Sequence, residues 1–327
     1  MLLNDDVLRA LHSRQEQVDR SASSYWTEAA GSFSLTKSGT MEGSTLVGLL
    51  APPTDPLRVL VHRTLQLPFT ALGRWRYRHY GQIRRLGGLI ASRTDRMFTY
   101  DMMRQVLSLA LIHEHVPFGE EGPAVLVIGD GFGVMTSLLA LLTQRRKIIT
   151  VNLNKPLLLD TTYIRRAVPE ATLALVETDA DMDTALADKT IRVIAVQADH
   201  AQVIRRAPIA LAINIVSMQE MNPDTVVAYF ATLRENPAPE TILYCANKLT
   251  KTLPDGTVAR FSDYPWRSDD TIMVDAICTW NQWTYSRRPP FWHYRWGQSR
   301  IIWHRLASLT KIRDGVPMLH GDRKQAG

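Results

Sequence analysis

A short apolar run that ends in three closely spaced glycines is the feature that most restricts the fold of this chain. Ala124–Ile128 leads into Gly129-Asp-Gly131-Phe-Gly133, which is followed by the apolar stretch Val134–Leu142. This order predicts a strand, a tight turn and a helix. Glycine permits positive φ and carries no Cβ, so such a turn lets a ligand approach the backbone. We therefore predict a ligand-binding turn here.

The same window is not expected to span a membrane. Asp130 would lie near its centre, at a cost of ~2.5–3.5 kcal/mol. The N-terminus carries Asp5 and Asp6 where a secretory signal would carry Lys or Arg before an apolar run. With 45% apolar and 21% charged residues and only two cysteines, the composition excludes a disordered chain and a disulfide scaffold. We expect a soluble, cytoplasmic protein.

The glycine turn opens a region in which apolar segments alternate with helix-like segments. The predicted strands that follow are 148–151, 172–176, 191–196, 209–216 and 241–245, and the predicted helices are 156–166 and 223–234. Such alternation predicts a Rossmann-like α/β fold with a mainly parallel sheet, covered on both faces. Ligands of these sheets bind beyond the carboxyl ends of the strands.

Three regions are predicted along the 327 residues. Residues 1–115 form a helical region or lid, in which Ala30–Ser44 is expected to be a loop or mobile lid. Residues 116–250 form the cofactor-binding core. Residues 251–327 contribute the last part of the sheet, an aromatic segment and a frayed tail from Asp314.

The glycine spacing distinguishes between nucleotide cofactors. Dinucleotide-binding turns follow G-x-G-x-x-G, but Val134 occupies the place of their third glycine, and the Lys-Ser/Thr pair of a P-loop is missing. The compressed G-x-G-x-G form is more familiar in S-adenosylmethionine-dependent methyltransferases. A nicotinamide-dependent oxidoreductase is therefore the third choice. The predicted cofactor-binding residues of the turn are Gly129, Asp130, Gly131, Phe132 and Gly133.

Polar side chains follow the later strands at the same predicted edge of the sheet. Their alternative roles are turn, helix-capping or exposed loop residues. Because the carboxyl ends of the strands converge there, we predict contacts to the cofactor and a general base for the acceptor hydroxyl. The predicted cofactor contacts are Asn152, Leu153, Asp199, Asn214 and Ser217, and the predicted bases are Glu220 and His200.

Six of the eight tryptophans lie in the C-terminal region, interleaved with arginines. Three interpretations remain open: packing against the core, a wall for a sugar, and, least favoured, a single-stranded nucleic-acid surface. The predicted acceptor contacts are Trp292, Tyr294, Trp296 and Asn247, and His293 is a third candidate base. The basic, aromatic stretch Arg74–Arg85 could in addition contact anionic lipid heads.

Alternating acids at Asp179, Asp181 and Asp183 are the only pattern that suggests a metal. The stretch has no glycine-bearing calcium loop, and it is interpreted as a solvated acidic loop or the start of a helix. No metal is therefore predicted.

Four segments together resemble the sugar O-methyltransferase family, a branch of the class I S-adenosylmethionine-dependent methyltransferases. They are the glycine motif 127–133, Val151-Asn-Leu-Asn154, Ala212–Met221 and Leu243–Asn247. The resemblance covers about the central half of the chain, and its most specific piece is the Asn214–Met221 run. It implies a seven-stranded core, bound S-adenosylmethionine, and methylation of a hydroxyl on a sugar or glycan, as in polysaccharide biosynthesis.

Two positions depart from the family pattern. Val127 stands where the family has an acid before the first glycine, and Asn152-Leu153-Asn154 replaces Asp-Leu-Pro. Both changes remove carboxylates expected to hold the cofactor. The alternative function is therefore a non-catalytic carbohydrate- or nucleic-acid-binding protein on a decayed methyltransferase core.

Overall fold

The computed structural model describes residues 5–36, 41–43, 56–117, 119–286 and 289–312. The first 115 residues are mainly helical, as the sequence predicts. The helices are α1 (Asp6–Ser13), α2 (Ser24–Ala30), α3 (Pro56–Leu65), α4 (Leu67–Arg76), α5 (Tyr80–Arg93) and α6 (Tyr100–His115). The predicted loop 30–44 instead contains two short strands, β1 (Phe33–Leu35) and β2 (Met41–Gly43), which pair antiparallel. Residues 37–40 and 44 lie outside the described part.

The middle region alternates strands and helices as predicted. Its strands are β3 (Ala124–Ile128), β4 (Ile148–Asn152), β5 (Thr172–Val176), β6 (Ile191–Gln197), β7 (Ile209–Ile215) and β8 (Thr241–Lys248). The helices between them are α7 (Val134–Leu142), α8 (Asn154–Ala167), α9 (Asp179–Ala187) and α10 (Pro223–Glu235). The segment after β6 is a 3₁₀ helix, Ala198–Arg206.

The C-terminal region completes the sheet. It contains β9 (Thr250–Thr252), β10 (Val258–Arg260), β11 (Thr271–Ile277), α11 (Thr279–Gln282), β12 (Trp283–Tyr285), β13 (Trp292–Tyr294) and β14 (Ile302–Leu309). The strands β9 and β10 form one hairpin, and β12 and β13 form another. The predicted tail from residue 314 lies outside the described residues.

The main sheet has eight strands in the order β11-β14-β8-β7-β3-β4-β6-β5, one more than predicted. The six strands β3–β8 are parallel, whereas β14 runs antiparallel between β8 and β11. The strands β4, β5 and β6, which follow β3 in the chain, lie on one side of β3, and the chain then crosses to β7 on the other side of β3. This reversal beside β3 creates a crevice at the carboxyl ends of β3 and β7, where open α/β sheets bind ligands. The Rossmann-like α/β fold is confirmed.

Both faces of the sheet are covered by helices. Helices α5–α8 and α1 lie on one face, packed around Leu107, Ile112 and Leu138. Helices α9 and α10 and the 3₁₀ segment cover the other face, around Val203 and Phe230. Because the central strands are buried on both sides, β3 reads as a continuous apolar run rather than an alternating one.

Local signals define several helix starts. Asp5 caps α1 by accepting from the backbone N–H groups of Val7 and Leu8, and Thr99 caps α6. The acidic stretch 178–184 begins α9, where Thr178 and Asp181 form a capping box. Asp179 and Asp183 pair with arginines of the 3₁₀ segment. No helix among the described residues is long and apolar enough to cross a membrane.

A buried ion pair joins α10 to the C-terminal strands. Both Arg234 and Asp270 have side chains that are at most 3% exposed, and two hydrogen bonds of 2.7 and 2.8 Å connect them. Arg234 also donates to the carbonyl oxygens of Pro265 and Thr310. The pair therefore holds the loop before β11 and the end of β14 against the helix.

We predict that Asp270→Ala lowers the free energy of unfolding by about 3–5 kcal/mol, because it leaves a guanidinium buried without its partner. Asp263→Ala, which breaks the exposed pair with Arg260, is the matched control and should cost at most about 1 kcal/mol. Urea unfolding followed by circular dichroism measures both. Equal losses in the two variants would contradict the role given to the buried pair.

Candidate functional site

All three glycines of the turn after β3 have positive φ, between 63° and 83°. A Cβ on Gly129 would lie 2.0 Å from the Ser217 hydroxyl oxygen, and one on Gly133 would lie 2.6 Å from the carbonyl oxygen of Asp160. A Cβ on Gly131 would meet nothing within 4 Å. The outer glycines are therefore required by packing, whereas the middle one faces open space.

Two carboxylates lie beside this turn. Asp130 accepts hydrogen bonds from the backbone N–H groups of Met135 and Thr136 at the start of α7, at 3.0 and 2.7 Å. Asp160, on α8, is fully buried and accepts from the Gly133 N–H at 3.0 Å. No Lys or Arg of the described residues forms an ion pair with either. The two carboxylates beside the turn are therefore held by hydrogen bonds and have no ion-pair partner among the described residues.

The environment shifts the pKa of both acids in the same direction. Burial raises the pKa of Asp130, and the hydrogen bonds at the start of α7 oppose this only in part. Burial raises the pKa of Asp160 well above its ordinary value, and the negative charge of Asp130 raises it further. Both effects mean that a positive charge brought to the turn would be stabilised.

Sequence reasoning overlooked Asp160, although it explains Asn152. The Asn152 amide donates to Asp160 at 2.9 Å, and its carbonyl oxygen accepts from the Leu153 N–H at 3.0 Å. The Asp160 carboxylate is thus hydrogen-bonded to Asn152, the residue that stands where the family pattern has an aspartate. The available signal was a single acid within the apolar helical stretch Leu157–Ile164, which predicts a buried charge.

Asn214 and Asn247, predicted to contact cofactor and acceptor, are fully buried. The Asn214 amide donates to the carbonyl oxygen of Ile128, and its oxygen accepts from Asn247 and from the Met218 N–H. Asn247 also accepts from the Gln219 N–H at 3.1 Å. These bonds tie β3, β7 and β8 together, so both asparagines support the site from behind.

A cavity of about 390 Å³ opens in front of Gly131. Of the predicted residues, Asp130, Phe132 and Glu220 line it together with this glycine. Val216 also lines it and has a φ of 59°, a left-handed conformation that is strained for a β-branched residue and that clusters at functional sites. The remaining wall is formed by Tyr25, Trp26, Ala29, Ser32, Asp101, Arg104, Gln105, Ile215, Asn281, Arg295 and Ile302.

Glu220 is the one predicted base that reaches this cavity. Its carboxylate accepts from the Lys251 ammonium group at 2.6 Å, and both side chains are about 13–14% exposed. The same ammonium lies 3.7 Å from the centre of the Tyr25 ring. Burial raises the pKa of Glu220, and the charge of Lys251 opposes that rise. Sequence reasoning did not identify Lys251 or Tyr25.

The two candidate histidines do not line the cavity. His200 lies on the 3₁₀ segment after β6, outside the cavity wall. His293 lies in the β12–β13 hairpin, where its Nε2 atom is 3.2 Å from the Ser286 hydroxyl oxygen. The structure thus separates both from Glu220.

The chain itself covers the other half of the crevice. Asp199 accepts from the backbone N–H groups of Arg20 and Ser21 at 2.9 and 2.8 Å. Asp19 accepts from the Asn154 N–H and from Gln197, and Ser23 donates to the Glu220 carbonyl oxygen. We call residues 19–26 the N-terminal cover.

Little space remains beneath the N-terminal cover. A cavity of about 30 Å³, the share of a single water molecule, lies between the cover and the ends of β4, β6 and β7. Asn152, Leu153 and Ser217, all predicted to contact the cofactor, line this small cavity. The glycine half of the crevice is therefore open and the other half is closed.

The C-terminal aromatic residues form no wall of the cavity, contrary to the prediction. Trp292 packs on Phe69 and Tyr285, with ring centres 5.2 and 5.1 Å apart, and Tyr294 packs between Trp283 and Trp296. Of these residues, Trp296 alone is largely exposed, at 77%. Trp292, Tyr294 and Trp296 therefore build the hairpin, because rings of neighbouring elements bury more area against each other than against a cavity.

The basic stretch 74–85 is divided between surface and core. Trp75 is 83% exposed, whereas Tyr77 and Tyr80 are buried against the helices. Trp75 lies in the last turn of α4, Tyr77 follows that helix, and Tyr80 begins α5, so the three rings point in different directions.

No family model and no curated protein matches the chain. Among solved structures it is similar to an S-adenosylmethionine-dependent methyltransferase from Aquifex aeolicus, at 10% identity over 62% of this chain and 89% of that chain, with a TM-score of 0.33. Magnesium protoporphyrin IX methyltransferase from Synechocystis PCC 6803, solved with bound SAH, matches at 12% identity over 64% and 84%, with a TM-score of 0.36.

The glycopeptide N-methyltransferase MtfA matches at 13% identity over 62% of this chain and 94% of that chain, with a TM-score of 0.34. These three proteins are methyltransferases. Likeness of this extent carries no argument about cofactor or acceptor, so both are inferred from the residues of the site. The sugar-specific family stays a prediction.

We predict that Gly131→Ala costs about 1–2 kcal/mol of stability, the strain of a left-handed alanine in open space. Gly129→Ala should cost a further ~1–3 kcal/mol, because its Cβ overlaps the Ser217 side chain. Urea unfolding of both variants measures the difference. If Gly129→Ala were as stable as Gly131→Ala, the two glycines would not have the distinct roles assigned to them.

Proposed function

We propose that this protein is an S-adenosylmethionine-dependent O-methyltransferase that methylates a sugar hydroxyl. The observation that carries the proposal is the glycine turn at the reversal point of the sheet, which opens onto the cavity that Glu220 lines. The cofactor would bind beside the turn, and the acceptor hydroxyl would bind in the cavity near Glu220.

The charge of the turn suits this cofactor. S-adenosylmethionine carries positive charge on its sulfur and its α-amino group and negative charge on its carboxylate, and Asp130 and Asp160 lie at the turn without an ion-pair partner among the described residues. A pyrophosphate would be repelled by the same two acids. The electrostatics therefore support a sulfonium cofactor over a dinucleotide, in agreement with the early third glycine.

The nucleoside would lie at the ends of β4 and β6, beside Asn152 and Asp199. The first residues of the N-terminal cover, Asp19 to Ser21, occupy that place, so binding requires their displacement. They are held there by hydrogen bonds with Asp199, Asn154 and Gln197. Such a segment can shift at modest cost, as lids do in many enzymes.

Glu220 is the proposed general base. When bound, the cofactor supplies a methyl group on a positively charged sulfur that is open to displacement by an acceptor oxygen. Glu220 accepts the hydroxyl proton, and Lys251 holds its carboxylate in place. Tyr25 and Trp26 present ring faces to the same cavity, which supports a sugar as the acceptor.

Cofactor binding should strengthen as the pH rises. The pKa values of Asp130 and Asp160 are raised, so each acid loses its proton at a higher pH than an ordinary aspartate and then gains attraction for a cation. Isothermal titration with S-adenosylmethionine measures the dissociation constant at each pH. Asp130→Asn should bind more weakly at pH 8 and respond less to pH.

Gly131→Arg should abolish S-adenosylmethionine binding while the protein stays folded. Gly256→Arg is the matched control, since Gly256 also has positive φ and open space around it but does not line the cavity. Cofactor binding that survives in Gly131→Arg would exclude the turn as the site.

Glu220→Gln should lower the rate of methyl transfer about 10²–10⁴-fold while leaving S-adenosylmethionine affinity unchanged. Transfer of labelled methyl groups to a panel of sugars measures the rate, and the exposed Glu235→Gln serves as control. In the unaltered protein the rate should rise with pH as Glu220 ionises, and this acid limb should vanish in the variant. A retained limb would show that another group is the base.

A second candidate function is supported by the N-terminal cover. If the N-terminal cover is never displaced, it blocks the site where the nucleoside of the cofactor would bind. The protein would then be a non-catalytic carbohydrate-binding protein on a methyltransferase-like core. S-adenosylmethionine would then give no heat at millimolar concentration, whereas sugar binding would persist. Removal of the Trp26 ring by Trp26→Ala would not restore cofactor binding in that case.

A further inference from the structure

The cavity in front of Gly131 is also lined by two arginines, Arg104 from α6 and Arg295 after β13. Arg104 is neutralised, because it pairs with Asp101 at 2.7 Å and donates to the carbonyl oxygens of Trp280 and Trp283. The Arg295 guanidinium forms no hydrogen bond or ion pair with any residue that the structure describes. It is half-buried, so its charge is removed from part of its hydration without compensation.

Further cations lie near Arg295. Burial lowers the pKa of Lys248, and the charges of Lys251, Arg295 and Arg300 lower it further. Burial also lowers the pKa of Arg295, with a contribution from Arg104. These groups are therefore close enough to repel one another. Lys248 and Arg300 thus add positive potential near Arg295, while the arginines that line the cavity itself are Arg104 and Arg295.

The acids near these cations offset the positive charge only in part. Asp101 pairs with Arg104, and Glu220 pairs with Lys251. Lys248, Arg295 and Arg300 thus form no ion pair among the described side chains. Of these three, Arg295 lines the cavity, which Asp130 of the glycine turn lines as well.

The backbone of Arg295 is held in place. Its N–H donates to the Gln282 carbonyl oxygen at 3.0 Å, and the Gln282 side chain donates to the Arg295 carbonyl oxygen. A guanidinium on a fixed backbone presents a planar fork that matches a carboxylate or phosphate group. Binding such a group would supply the partner that Arg295 lacks among the described residues.

We propose that Arg295, with Lys248 and Arg300 beside it, binds an oxyanion of the acceptor, so that the acceptor is an acidic or phosphorylated sugar. This inference rests on the proposed function in one respect, namely that the cavity is where the acceptor binds. Because Asp130 and Arg295 line one cavity, a cationic cofactor and an anionic acceptor would each meet a group of opposite charge there. Glu220 lines the same cavity.

The test is isothermal titration of the full chain without S-adenosylmethionine, using glucuronate, glucose 6-phosphate and glucose as probes. We expect at least one anionic sugar to bind about tenfold or more tightly than glucose, as a charge-assisted hydrogen bond would give. The two anionic probes distinguish a carboxylate from a phosphate. Equal binding of glucose and both anions would overturn the inference.

Arg295→Gln should weaken binding of the preferred anion about tenfold or more, and Arg295→Lys should lose part of that affinity because it keeps the charge but not the fork. Arg145→Gln is the matched control, since Arg145 is an exposed, ion-paired arginine next to the amino end of β4. Unchanged anion binding in both Arg295 variants would refute the assignment.

Different experimental results would refute the proposed methyltransferase function and the proposed oxyanion site. Arg295-dependent anion binding without any S-adenosylmethionine binding would leave the oxyanion site in place and refute the methyltransferase. S-adenosylmethionine binding that Gly131→Arg abolishes, combined with anion binding insensitive to Arg295, would refute only the oxyanion site. Thermal unfolding of each variant confirms that it is folded before it is titrated.

Discussion

The site depends on a buried amide network at the point where the sheet reverses its direction of growth. Asn214 bonds to the end of β3 and to Asn247 on β8, and Asn247 in turn holds the Gln219 N–H. Parallel strands that diverge at such a point leave backbone groups without ladder partners, and a buried amide can satisfy both a donor and an acceptor. The network thereby fixes the loop that carries Ser217 and Glu220 against the glycine turn.

The electrostatic arrangement builds on this framework. Because Ser217 occupies the space beside Gly129, the turn is pressed against the loop, and its open face at Gly131 is directed into the cavity. Asp160 reaches the turn from behind and Asp130 from the start of α7. The cations near Arg295 come from a different part of the chain. A cavity lined by both Asp130 and Arg295 is the result of these separate placements.

Much of the fold could be predicted from the sequence, since apolar periodicity reports which residues are buried. Helix 100–115 and strand 172–176 have the predicted bounds, and the alternation that predicts a parallel sheet is present. The predicted strand count was one too low. The loop prediction for residues 30–44 was wrong where β1 and β2 pair, because strand pairing depends on partners as well as on local composition.

The site was less predictable than the fold. Polarity at strand ends drew attention to Glu220, which lines the cavity, but it did not distinguish an asparagine that supports the sheet from one that faces a ligand. The aromatic C-terminal segment was expected to form the cavity wall and instead packs on itself and on α4 and α6. Ring-to-ring packing has no sequence period, so no local pattern could have separated these roles.

By itself, the sequence determined the strand–turn–helix unit, the three glycines and the α/β alternation, because these depend on backbone conformation and on burial, which act over a few residues. Only the tertiary structure decided which acids lie beside the turn, which aromatic residues reach the cavity, and which arginine has no side-chain partner in the described part of the chain. Those properties arise between side chains that are distant in the chain. Asp160 acquires its role because folding brings it next to the glycine turn. Arg295 acquires its role because folding leaves its guanidinium without an ion pair among the described residues.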